Sequence, residues 1–177
     1  MFTPIMQRLK SITDPAISYA LYLLLKPMTE RYRSCMHSSA GLVITAAAGK
    51  KVPKTGASIC HYQANGKMGQ IPAGTDMPDL SGTVANATYN IFVFTIDSAG
   101  TKYSYMGTAA AAEASVKWPN LNTEHAIIGY VKIHVTGTGD FVGGTTALDN
   151  VTVFSSAAAD VLYVSLVGMS FPGAAVD

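Results

Sequence analysis

Four histidines (His37, His61, His125, His134) and the carboxylates Asp76, Asp79, Asp140 and Asp149 are the residues of this chain whose types could do chemistry. A helical metal pair needs histidines four apart on one face, and a zinc hydrolase needs His-Glu-x-x-His; neither spacing occurs. His134, beside Lys132 and Tyr130, reads as a surface or interface residue rather than a ligand. Asp76 and Asp79 could form the carboxylate pair of a glycoside hydrolase, but Pro78 between them marks an ordinary turn. Asp140 and Asp149 bracket a glycine- and threonine-rich loop that could hold a cation through threonine carbonyls. Carboxylates in such loops also make turn hydrogen bonds, and that is the plainer reading. The glycines of Gly137–Gly144 do not fit a dinucleotide fingerprint, and no nucleophile elbow or phosphate loop is present. Trp118 next to Pro119 is either a sugar-stacking platform or, more simply, a core plug. These residues converge on no active site, so the sequence predicts no catalytic residue, no metal and no cofactor.

The elements that would position such residues are mostly strands. Ala126 to Val135 alternates with a two-residue period: Ile127, Gly129, Val131, Ile133 and Val135 on an apolar face, Ile128, Tyr130, Lys132 and His134 on a mixed one. Its partner is Thr88 to Ile96, apolar on both faces and so expected to be covered on both. Asn65-Gly66 predicts a tight hairpin between Ser58–Gln63 and Lys67–Ile71, since these residues accept the positive φ angles of that turn. Asp97 to Gly100 is a second turn, with Lys102 to Met106 returning beside the Thr88 strand. Gly107 to Ser115 is a short helical turn or a loop. Further strands are expected at Leu42–Thr45, Val151–Phe154 and Val161–Val167. Short strands at hairpin spacing predict a mainly β chain, an antiparallel sandwich or barrel, as the body over residues 41–177.

Residues 1–40 read differently. Asp14-Pro15 is a helix start, and the run AISYALYLLL continues to Leu25, where Lys26-Pro27 stops it. Thr29-Glu30 could open a second short helix through about His37. The first run is apolar on nearly every side and must be covered. As a helix its ten residues extend about 15 Å, half a bilayer core, which argues against a membrane span. A secretory signal is the alternative, since Arg8 and Lys10 precede the run, although no small-residue cleavage site follows convincingly. The segment is therefore expected to be a helical docking arm, with Ile17, Tyr19, Leu21, Tyr22, Leu23, Leu24, Leu25, Met28, Arg31 and Arg33 at an interface.

Charge supports the division. Through Lys54 there are eight Lys or Arg against Asp14 and Glu30, and beyond it four against nine acids, so a net charge of +1 hides a basic arm and an acidic body. The basic residues are interleaved with apolar ones, which does not favour nucleic acid. Cys35 and Cys60 form no CxxC pattern and read as buried free thiols, with a single bridge as the alternative.

At Gly41–Ile44, at Asn65-Gly66-Lys67, at Ile71–Thr101 and above all at AIIGYVKIHVTGTGDFVGGTTALD (126–149), the chain resembles a family of tailed-bacteriophage virion structural proteins. The resemblance runs from about Ser38 to Tyr163, and Phe141–Asp149 is its specific signature. It implies a β-rich module on the virion: a capsid decoration or cement protein, a head fibre or a tail-associated protein. It brings no catalytic residues or cofactor. The partners it implies are the major capsid protein or other virion proteins and sister copies, a trimer foremost, with neither nucleic acid nor membrane. A glycan-reading tail or fibre module, with Trp118, Tyr103, Tyr105 and the glycine loop as its reader, is the alternative.

Overall fold

A computed structural model describes residues 17, 21, 33–44 and 51–168. The described chain is mainly β and consists of several antiparallel sheets. In chain order the strands are β1 (Cys35–Met36), β2 (Val43–Ile44), β3 (Pro53–Lys54), β4 (Cys60–Ala64), β5 (Lys67–Ile71), β6 (Thr83–Val84), β7 (Tyr89–Ile96), β8 (Lys102–Met106), β9 (Ala126–His134), β10 (Phe141–Val142) and β11 (Val161–Ser165). The largest sheet is four-stranded, in the order β11-β9-β7-β8; a second has the order β1-β4-β5, and β10-β6 and β2-β3 pair by twos.

The hairpin at Asn65-Gly66 forms with Ala64 opposite Lys67, and the two turn residues have φ of 47° and 79°. This is the local chemistry that the Asn-Gly dipeptide dictates. Along β4, Cys60, Tyr62 and Ala64 are buried while His61 is exposed, so one face meets the core. Tyr62 lies across Gly69 of β5, where a Cβ would come within 2.4 Å of its ring.

β7 pairs with β9 as expected, from Tyr89 opposite His134 to Ile96 opposite Ala126. The register shifts between Phe94 and Thr95, however, because Gly129 faces Phe94 and Ile127 faces Thr95, leaving Ile128 as an extra residue. This bulge changes the parity of β9 and corrects the expected faces. Ala126, Ile128, Val131, Ile133 and Val135 join the main core, whereas Ile127 turns to the other side.

The main core lies on one face of the large sheet, where Phe92, Phe94 and Ile96 of β7 pack with Met36, Tyr62, Ile71, Leu80, Phe141, Leu148 and Phe154. On the opposite face Ile91, Val93 and Ile127 are covered by Leu121, with Val116, Tyr105, Tyr130 and Leu166 around them. The segment after β8 supplies that cover and contains a single 3₁₀ turn, Glu113–Ser115.

Three further expectations are corrected. Val151–Phe154 is a turn, not a strand: Asn150 O accepts the N–H groups of Val153 and Phe154, and Asn150 Oδ1 accepts that of Thr152. Trp118 is 46% exposed rather than plugging the core. The short helix expected through His37 gives way to strand β1, whose Cys35 and Met36 pair with Gln63 and Tyr62. Ser34 Oγ donates to Glu124 O (2.9 Å) and accepts from Asn65 N–H (3.0 Å), so Arg33 and Ser34 are tied to the β-rich body. Of the expected arm before Arg33, Ile17 and Leu21 are helical and the remainder lies outside the described residues.

Candidate functional site

The polar and aromatic side chains gather on the outer face of the four-stranded sheet. Alternation along β8 places Tyr103 and Tyr105 on that face, opposite Thr95 and Val93. β9 adds Tyr130, Lys132 and His134, and β11 adds Leu162 and Val164, opposite Lys132 and Tyr130.

One group centres on Asp97 at the β7–β8 turn. Its Oδ1 accepts the N–H groups of Ala99 and Thr101, both at 2.8 Å, and its Oδ2 accepts the Tyr103 hydroxyl at 3.0 Å. Tyr103 stacks on His125, with ring centroids 4.8 Å apart, and His125 Nδ1 lies 3.1 Å from Thr95 Oγ1. Burial opposes ionisation of Asp97, but the Thr101 N–H, the Tyr103 hydroxyl, the Ala99 N–H and His125 outweigh it and hold the carboxyl below its usual range. The same bond from Tyr103 to Asp97 raises the tyrosine.

A depressed carboxyl stabilises the fold above its unfolded value of about 3.9, and that contribution disappears as pH falls through the lower folded value. Asp97→Asn is therefore expected to melt below the parent at pH 7. Scanning calorimetry from pH 7 down to pH 2 should show the two melting temperatures converging below about pH 4, the unfolded carboxyl value; a constant gap would refute the assignment.

A second group surrounds His134. Its ring stacks on Tyr89 at 3.7 Å and 7°, and its Nδ1 lies 4.0 Å from Asp160 Oδ1. Asp160 Oδ2 in turn accepts from Thr136 Oγ1 (2.6 Å) and from Ser156 N–H (3.0 Å), fixing the helical turn Ala157–Asp160 that leads into β11. Lys132 is matched by Glu113 at 2.6 Å. Trp118 meets Tyr130 edge-on, centroids 5.1 Å apart. The first two groups satisfy themselves internally; what the face offers outward is ring surface at Trp118 and aliphatic surface at Leu162.

The other candidate residues are dispersed. Asp76 and Asp79 are exposed in the loop after β5, Asp76 bridged through its backbone to Lys54. Asp140 accepts the Asn86 N–H at 2.9 Å, a contact between distant segments rather than within its own turn, and Asp149 lies near enough to Tyr163 to raise it together with burial, the larger cause. Among the described residues no three His, Cys, Asp or Glu side chains gather as a metal site. His37 and His61 are joined through their backbones (2.8 Å). Cys35 and Cys60 are buried free thiols, and burial raises both. Of the expected interface residues, Arg33 donates from Nε to Asn65 Oδ1 (2.7 Å) and lies 3.8 Å from Glu124, exposed contacts on the surface of the body. Ile17 is exposed and Leu21 half-buried, while Tyr19, Tyr22, Leu23, Leu24, Leu25, Met28 and Arg31 lie outside the described residues.

The Asp97–Tyr103–His125 group is not legible in the sequence, because His125 comes from a distant loop. Tyr-x-Tyr on a hairpin strand was the signal available. Comparison of the chain with family models, with curated proteins and with solved structures gives no match.

Proposed function

We propose that the chain is a structural component of a bacteriophage virion, a capsid decoration or cement protein that binds the shell through its N-terminal segment. The reading rests on the resemblance carried by Phe141–Asp149 and its flanking strands, and on one structural observation. That observation is the outer face just described, which leaves Trp118 and the uncharged edge strand β11 exposed at the side of the large sheet. Surfaces of this kind mark contacts with other polypeptides. In this reading the sheets close as an antiparallel sandwich around the main core. Residues before Arg33 form the helical docking arm, consistent with the helical state of Ile17 and Leu21. The partners are the major capsid protein and sister copies, as trimers at three-fold positions or dimers at two-folds. The protein performs no reaction; its place is the capsid surface, and it engages neither nucleic acid nor membrane.

The test removes residues 1–32 and leaves Arg33 and Ser34 in place, since both are hydrogen-bonded into the body. The truncated protein is expected to lose binding to shells that lack it, whereas the full chain restores density on the shell lattice in electron micrographs. Undiminished binding of the truncated form sinks the arm, and density at one vertex or on the tail sinks decoration.

A second reading, a glycan-reading tail or fibre module, is favoured by the same exposed Trp118, since indole faces stack on sugar rings and Tyr130 braces it from below. Glycan-array binding that Trp118→Ala abolishes would establish it.

A further inference from the structure

The four-stranded sheet ends in two edges, and they are protected differently. On β8 the edge carries Lys102, a charge of the kind that discourages pairing. Among the smaller sheets, β5 carries Lys67 and Gly69, and the remaining edge strands are two residues long. β11 has none of these devices. Val161–Ser165 holds no charge, no proline, no glycine and no bulge, and Leu166 and Val167 continue it without charge.

Register shows which groups that edge presents. Leu166 N–H donates to Ile128 O at 3.2 Å, so alternation directs the N–H groups of Leu162 and Val164 toward β9 as well. Those of Val161, Tyr163 and Ser165 point away. Val161 N–H is bonded to Ala157 O, the end of the preceding helical turn. Tyr163 and Ser165 have no backbone partner on that side among the described residues.

We propose that β11 pairs with β11 of a second copy of this chain, antiparallel and centred on Tyr163, joining two four-stranded sheets across a two-fold axis. In this register Tyr163 exchanges both backbone hydrogen bonds with the partner's Tyr163, and Ser165 N–H donates to the carbonyl of the partner's Val161. The already bonded Val161 N–H marks where the ladder ends. On the outer face Leu162, 46% exposed, packs against the partner's Val164 and extends the apolar row of Val164, Tyr130 and Val93.

Charge favours a second copy over a charged partner strand: the paired residues bear none, Lys132 is matched by Glu113, and the two Asp160 carboxylates fall at opposite ends of the ladder. A five-residue pairing buries well under the roughly 1,200 Å² of a standard interface, so it is weak in dilute solution. It fills when copies are held at about millimolar effective concentration, as on any regular array. The inference rests on the strand itself and does not need the virion reading.

Amide hydrogen exchange on the full chain, resolved by residue and read from about 10 µM to 1 mM, tests it over the range where weak pairing saturates. The Tyr163 and Ser165 amides are expected to slow by about twofold or more as concentration rises, while those of Leu162 and Val164 stay protected throughout. Leu162→Glu places a carboxylate across from Lys132, which suits the single copy, and against the partner's Val164, which does not. In that variant Tyr163 and Ser165 are expected to exchange fast at every concentration, with Val164 still protected as proof of folding. Fast exchange at Tyr163 and Ser165 in the parent at 1 mM overturns the proposal. So does protection that ignores concentration, which would place another part of the same chain on this edge. Should the variant fail to fold, the dilution series on the parent decides alone.

Discussion

Phe141→Ala is expected to lower the stability of the folded chain by about 3–5 kcal/mol, the range for removing a fully enclosed aromatic ring. Phe141 has no exposed surface, and its ring lies 5.8 Å from that of Phe92 on β7 and 5.7 Å from that of Phe154. It joins the large sheet to the loop that follows β10, so its loss opens a cavity with rigid walls on two sides. Natural domains are stable by only about 5–15 kcal/mol, so the change removes about a fifth of the total or more. Urea unfolding should show a lower midpoint at unchanged slope. Phe141→Leu, which keeps most of the volume, is expected to cost under about 1.5 kcal/mol. An alanine variant within 1 kcal/mol of the parent would mean that the cavity collapses freely and the ring is not a joint.

Packing and turn geometry account for much of the Phe141–Asp149 segment. Phe141 and Leu148 are core side chains, Thr146 Oγ1 accepts the Val142 N–H at 3.0 Å, and Val142 O accepts the N–H groups of Thr145 and Thr146. Gly143 passes so close to Leu80 that a Cβ there would meet its carbonyl at 2.7 Å. Phe141 and Leu148 are thus set by packing, and Gly143 and Thr146 by the geometry of the turn.

What was legible in the sequence follows from how local its causes are. The Asn65-Gly66 hairpin could be read because two adjacent residues decide it, and the β7–β9 pairing because both strands are long, β9 alternating and β7 apolar on both faces. The faces of β9 were not readable before Gly129, since a bulge is defined by the partner strand and leaves the sequence of its own strand unmarked. Val151–Phe154 has the alternation of a strand, but the Asn150 side chain and carbonyl capture its amides first; Val151 is left 80% exposed while Val153 and Phe154 are buried. Strand β1 is two residues flanked by serine and histidine, too short for any period, and its place is fixed by Gln63 and Tyr62 far along the chain. For the candidate site, the tyrosines of β8 were visible as a pattern. Their convergence with His125 and Asp97 was not.

Gly129→Ala tests the other joint of the large sheet and should show the effect of a single added methyl. A Cβ at Gly129 would lie 2.2 Å from Val164 O, 2.8 Å from Leu42 Cδ1 and 3.1 Å from Ser165 Cα. Two of these neighbours are backbone of β11 and cannot swing aside, so β9 and β11 must separate at Gly129, beside the bulge that already interrupts the β7–β9 ladder. Overpacking of this kind costs about 1–3 kcal/mol, and the fixed neighbours place this case at the upper end. The loss should be uneven: amides of Leu162 and Val164, which donate to β9, are expected to lose protection before those of the β7–β9 ladder. Gly139→Ala is the control, because nothing stands within 4 Å of its Cβ position and its φ is not positive; it should leave stability unchanged or slightly raised. Equal melting temperatures for the two variants would show that β11 yields at no cost, and that its edge is too loosely held to template a second strand.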